Sequence, residues 1–193
     1  MFYSVIHRPS ADISKIKKIS AKYDPYYGLA GAHVTLLFPV PSAEISEANL
    51  ISHISTLASS TQPFETSFNS FSTELSWDQW LFLTPTRGGQ NFVNLHGAIY
   101  SGELKEFLRE DIPFAPHIAI GHFARQNSGY DLKNPAAAQL DKERYQHALE
   151  EVKLANININ YSVSEIELIG IDDNYQKSWS IRRFKLGQNW GEL

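Results

Sequence analysis

Two short segments of this chain resemble one another, and together they restrict the fold more than any other feature. They are Ala32-His33-Val34-Thr35-Leu36-Leu37-Phe38-Pro39 and Pro116-His117-Ile118-Ala119-Ile120-Gly121-His122-Phe123. Both follow a turn, both open on histidine, and both then alternate in the period of a strand with one buried face. The two histidines stand 84 positions apart (117 − 33). The elements around them recur as well: a helix leads into a His-headed strand, then comes a helix, then a pair of strands. Two similar α+β lobes facing each other account for that pattern, with no short-period repeat in the chain.

The remaining elements follow from periodicity and punctuation. Phe2 to Ile6 is β-prone and stops at Pro9. Ser10 is placed to cap a helix carrying Ile13, Ile16 and Ile19, with four lysines on its solvated face. Asp24 to Gly31 reads as a loop, and Tyr26, Tyr27, Gly28 and Gly31 suit a flap ahead of His33. Leu50, Ile54 and Leu57 mark a second helix. Phe64 to Phe71 and Trp77 to Thr84 read as a hairpin, with Trp80 and Phe82 on one face as expected core residues. Gly88-Gly89 opens a helix with Phe92, Leu95 and Ile99 in register, and His96 beside that stripe reads as structural. Leu140 to Val152 reads as a charged helix. Val163 to Ile171 and Trp179 to Leu186 read as two closing strands around Asp172-Asp173-Asn174.

Bulk properties narrow the function. At 193 residues, with 42% hydrophobic and 20% charged residues, the chain suits one ordered domain or two small lobes sharing a core. A net charge of −4 and a pI near 6.0 argue against a long nucleic-acid duplex and for a small or short substrate. The absence of cysteine excludes disulfides, thiolate metal sites and a cysteine nucleophile. Met1 to Ser10 lacks the basic start and apolar stretch of a signal peptide, and no apolar run approaches membrane-spanning length. The expectation is a cytoplasmic protein without a membrane partner.

Period-2 geometry gives the paired histidines a meaning. His33, Thr35 and Leu37 fall on one face of the first strand; His117, Ala119 and Gly121 fall on one face of the second. Two imidazoles across a cleft suit hydrolysis of a cyclic phosphodiester, one taking a proton from water and the other protonating the leaving ribose oxygen. Imidazolium, hydroxyl and backbone donors can meet the phosphate charge, so neither metal nor cofactor is expected. Thr35 is expected to turn its hydroxyl to the same phosphate. His122 falls on the opposite face of an ideal strand and reads as structural; a metal site built from His117 and His122 has poor spacing and no neighbouring carboxylate.

At these residues the chain resembles the 2H phosphoesterase superfamily, which holds 2′-5′ RNA ligase-like proteins and cyclic phosphodiesterases. That family carries two His-x-Thr/Ser-x tetrapeptides. His33-Val34-Thr35-Leu36 matches fully; His117-Ile118-Ala119-Ile120 matches except that Ala119 replaces the hydroxyl residue. The resemblance implies a bilobal α+β fold over residues 1–193, with two antiparallel sheets in pseudo-two-fold symmetry flanking a central groove and helices outside. It also implies catalysis by His33 and His117 on a 2′,3′-cyclic phosphate of a nucleotide or short RNA end, or reversible 2′-5′ ligation. Ala119 leaves a second reading, a nucleotide- or RNA-end-binding module that kept the fold and lost turnover. Tyr175 and Lys177 follow the last turn and are candidates to stack on a base and meet a phosphate. Arg182 and Arg183 alternate, so at most one reaches the groove.

Overall fold

The structure is a computed structural model and describes residues 1–72, 79–111, 113–125 and 139–188. Its strands are β1 (Phe2–His7), β2 (Val34–Pro41), β3 (Phe64–Ser72), β4 (Trp80–Arg87), β5 (Ile118–His122), β6 (Ile159–Val163), β7 (Glu165–Ile171) and β8 (Ser178–Lys185). Its helices are α1 (Ser14–Tyr23), α2 (Tyr27–Ala30), α3 (Glu47–Ser60), α4 (Gly89–Ile99) and α5 (Lys142–Ala155), with a 3₁₀ turn over Gly102–Phe107. The strands form two four-stranded antiparallel sheets in the orders β2-β1-β7-β8 and β5-β4-β3-β6. The strand that follows each motif histidine is an edge strand, beside β1 in one lobe and β4 in the other. That correspondence is the expected bilobal α+β arrangement.

The longer helices form where an apolar stripe meets a terminating group. Ile16, Ile19 and Ser20 are the buried face of α1, which lies on β5. Its first turn is held by Asp12, whose Oδ1 accepts from Ser14 N–H at 2.9 Å; Ser10 instead donates to the Ser162 carbonyl. Ser46 caps α3 and Asp141 caps α5 through side-chain oxygens, satisfying N–H groups the helix leaves open. At the start of α4, Gly88 has φ 77°, and a Cβ there would lie 2.5 Å from the Glu65 carbonyl oxygen, so only glycine fits. No helix among the described residues is long and apolar enough to cross a membrane.

The last third contains one strand more than the sequence suggests. The apolar run expected over Val163 to Ile171 breaks at Ser164 into β6 and β7, which belong to different sheets. In β6 Ile159, Tyr161 and Val163 are buried while Asn160 and Ser162 between them are exposed, because one face of this edge strand meets the core and the other meets solvent. β7 is buried on nearly every residue because it lies between β1 and β8. One residue thus carries the chain from lobe to lobe. The segment expected to be a plain loop before His33 contains α2, whose Leu29 covers Ile6, Ile169 and Ile171 on the groove side.

His7, at the end of β1, is only 1% exposed and lies at this junction. Its Nδ1 donates to the Glu165 carbonyl at 2.8 Å, and its ring stacks on Tyr161 at 5.5 Å between centroids. Burial pushes its pKa down to about 4, against the opposing pull of the Glu165 bond. Above pH 6.5 the ring is neutral folded or unfolded and contributes nothing to the pH dependence. As pH falls from 6.5 towards 4 the unfolded chain binds a proton that the native site refuses. Linkage makes the loss about 2 kcal/mol between pH 7 and 5. Urea denaturation at both pH values should show it, and His7→Phe should flatten the dependence by about that amount; an unchanged slope would remove His7 as its source.

Candidate active site in the groove

His33 and His117 each precede their strand by one residue and are fixed in the same way. His33 Nδ1 donates to the Gly31 carbonyl at 2.7 Å, and His117 Nδ1 donates to the Ala115 carbonyl at 2.7 Å. A carbonyl can only accept, so Nδ1 carries the hydrogen and Nε2 is left to take or give a proton. Burial lowers both imidazoles. His117 falls to about 4, with the charge of nearby His33 adding to the effect. His33 is lowered by burial and further by the charge of Arg8, against the Gly31 bond. At pH 7 both rings are therefore neutral.

Three residues after each histidine the strand bulges. On β2, Thr35 lies opposite Ile6 and Leu37 opposite Val5, so Leu36 is the extra residue. On β5, Ala119 lies opposite Phe82 and Gly121 opposite Leu81, so Ile120 is the extra residue. A bulge reverses the facing of everything beyond it. Leu37, expected beside His33, is instead fully buried in the main core. Gly121, expected beside His117, faces α1, where a Cβ would lie 2.6 Å from Tyr23 Cβ and 2.8 Å from the Phe123 ring. His122, expected on the far face, pairs with Trp80 and turns to the same side as Phe82 and His117.

Side chains from α4 and β1 satisfy the backbone groups around the β2 irregularity. His96 donates to the Leu36 carbonyl, Ser4 donates to the Leu37 carbonyl, and the Tyr100 hydroxyl accepts from Phe38 N–H. His96 is buried and stacks on Phe114 at 3.8 Å, the structural role expected of it. In the other lobe, Arg144 of α5 donates to the His122, Lys22 and Tyr23 carbonyls and tethers the end of β5 to the end of α1.

The expected hairpin of β3 and β4 is present, although Trp77 and Asp78 lie outside the described residues. Trp80 and Phe82 are not core residues; they form an aromatic wall on the groove face. Phe82 lies on His117 at 3.8 Å, Trp80 stacks beside Phe82 at 6.0 Å, and Tyr26 lies over Trp80 at 6.1 Å. Because Phe82 is directly opposite Ala119, an aromatic ring borders the place where the first motif has its hydroxyl. Asp24 also belongs here: burial raises its carboxyl, while the Tyr26 N–H and the charge of His122 pull it down.

Thr35, half-buried opposite Ile6, shares a face with Glu167 and Arg183 of the neighbouring strands. Of the two adjacent arginines, Arg183 thus takes the groove side, while Arg182 crosses the Phe184 ring at 5.6 Å. Tyr175 and Lys177 are not brought to the imidazoles. Tyr175 lies on Phe2 at 5.0 Å, at the opposite end of β1 from His7, and the backbone of Lys177 closes the turn at Asp172. Among the described residues no group of three or more potential metal ligands comes together.

Comparison with known proteins agrees with the fold. A sequence model described as the 2′-5′ RNA ligase superfamily matches residues 7–174. A protein of Halalkalibacterium halodurans that carries a phosphoesterase designation is 27% identical over 190 residues, covering 97% of this chain and 99% of the relative. A similarly designated protein of Oceanobacillus iheyensis is 23% identical over 191 residues, covering 98% and 100%. Among solved structures, LigT of Escherichia coli in complex with NADP+ superposes with a TM-score of 0.58 at 18% identity, covering 97% of this chain and 98% of that one. TT0787 of Thermus thermophilus superposes at 0.61 with 16% identity, covering 98% and 100%. At these identities the superpositions establish the shared fold.

Proposed function

The chain belongs to the 2′-5′ RNA ligase superfamily, and on that premise we propose that it is a metal-independent phosphoesterase in which His33 and His117 open a 2′,3′-cyclic phosphate on a nucleotide or short RNA end. The observation that carries this reading is the matched pair of imidazoles, each with Nδ1 on a carbonyl two residues earlier and each at the head of a bulged edge strand. One Nε2 takes a proton from the attacking water and the other gives a proton to the departing ribose oxygen. Thr35 donates to a phosphoryl oxygen. The wall of Phe82 and Trp80 offers a stacking surface for the base. LigT, which shares the fold, has been crystallised with 3′-AMP and with ATP, in keeping with a ligand of nucleotide size. The same groove suits reversible 2′-5′ ligation. We read residues 1–193 as one bilobal domain working in the cytoplasm.

Turnover of 2′,3′-cyclic nucleotides should continue in chelator and fall by about 10²–10⁴-fold in His33→Ala and in His117→Ala; full activity in either variant would end the mechanism. The reaction needs one imidazole protonated and one neutral, and burial lowers both below 6.5. The value of kcat/KM should therefore peak on the acid side of pH 6.5 and decline by about tenfold per pH unit above it. A profile still rising at pH 8 would contradict that assignment.

Ala119 favours a second reading, a binding module with weakened turnover. A missing charge-assisted hydrogen bond is worth about 1–3 kcal/mol, one to two decades of rate. Ala119→Thr should raise kcat by about tenfold if the hydroxyl is what the second motif lacks. Tight binding of a cyclic phosphate with no product in either protein would favour the module.

A further inference from the structure

Catalysis by His33 and His117 leaves Arg8, beside the groove, without a role. With both imidazoles neutral at pH 7, an anionic substrate needs a permanent cation to hold it. Arg8 follows β1 and reaches back under the segment that carries His33. Its Nε donates to Glu167 Oε2 at 2.6 Å, and its Nη1 donates to the Ala30 carbonyl. Nη1 also lies 3.8 Å from where a Cβ on Gly31 would be, and Gly31 supplies the carbonyl that fixes His33. The guanidinium charge is felt at His33. Nη2 has no partner among the described residues, and the side chain is 38% exposed.

Glu167 pairs with Arg8 through Nε alone and does not occupy its outer N–H edge. The carboxylate is 6% exposed and is shared by Arg8 and by Arg183, whose Nε lies 3.5 Å from Oε1. Burial pushes the carboxyl up, but hydrogen bonds from Ser180 and Arg8 and the charges of both arginines outweigh it and keep it ionised. Arg183 Nη1 also lies 3.8 Å from Glu165 Oε1, so the Arg183 charge is divided between two carboxylates, whereas Arg8 keeps an N–H edge that neither carboxylate occupies. A guanidinium already fixed by two bonds loses little freedom when it binds, and its open edge matches a phosphate oxygen.

We propose that Arg8 is a substrate-binding residue: held by Glu167 and Ala30, it presents its free N–H edge to a phosphoryl oxygen of the substrate at the His33 end of the groove. The ligand class is a phosphate ester anion, whether the cyclic diester entering or the monoester leaving. In the first motif lobe this cation joins Thr35, and it supplies the charge that neither neutral imidazole provides. The inference rests on the phosphoesterase reading for its location.

Calorimetric titration with inorganic phosphate at pH 7.5 tests it without turnover, alongside kinetics on a 2′,3′-cyclic nucleotide. Arg8→Gln should weaken phosphate binding by about tenfold or more and raise KM similarly, with kcat within about threefold. Arg8→Lys keeps the charge and should recover most of the loss. Thermal melting checks that each variant is folded. If Arg8→Gln binds phosphate as the wild type does and loses only kcat, Arg8 merely props the Ala30-Gly31 turn and the proposal fails. Failure of the phosphoesterase reading would show separately, as undiminished turnover in the His33 or His117 variants.

Discussion

A backbone carbonyl two residues ahead of each motif histidine sets the chemistry of the groove. Gly31 and Ala115 accept from Nδ1, which fixes the tautomer, limits ring rotation and leaves Nε2 as the working nitrogen at both positions. That bond forms only if the chain turns sharply just before the strand, which is why Gly31 sits at φ 66° and why Pro113 and Pro116 flank Ala115. The turns in turn depend on the strands they enter. β2 is pinned by His96, Tyr100 and Ser4, and the end of β5 is tethered by Arg144. The groove thus rests on hydrogen bonds made well outside it.

The electrostatics follow from the same enclosure. Burial that orients the rings also strips water from them and lowers their basicity. A pair of half-buried neutral imidazoles attracts an anion weakly. The protein has a net charge of −4, so attraction must be local. Arg8 and Arg183, paired with Glu167 and Glu165, bring guanidinium donors beside Thr35, while the aromatic wall on the other lobe is accompanied by its histidines and Asp24.

Much of this was legible in the sequence, for a definite reason. Strand period places His33 with Thr35 and His117 with Ala119, and two like segments in a recurring order of elements announce two lobes. What alternation cannot encode is a bulge. One unpaired residue at Leu36 and one at Ile120 reverse the facing of Leu37, Gly121 and His122, and each of these is misassigned by an ideal strand. Trp80 and Phe82 misled for another cause, because a large aromatic on an alternating strand reads as core whichever way it points. Arg8 carried no local signal at all: its importance comes from Glu167 and Ala30, which are far from it in the chain.

The two bulges bear on more than the facing of side chains. Both motif strands are edges of their sheets, and a straight edge offers a row of unpaired amides to any passing extended chain. On β2 the pairing with β1 slips again between Tyr3 and Val5, next to Pro39, which has no N–H to offer. A groove open enough to admit a nucleotide must leave strand ends uncovered. Its irregular edges give a foreign strand no continuous register to follow, so the distortion that turns His122 inward also guards the fold against self-association through its own binding face.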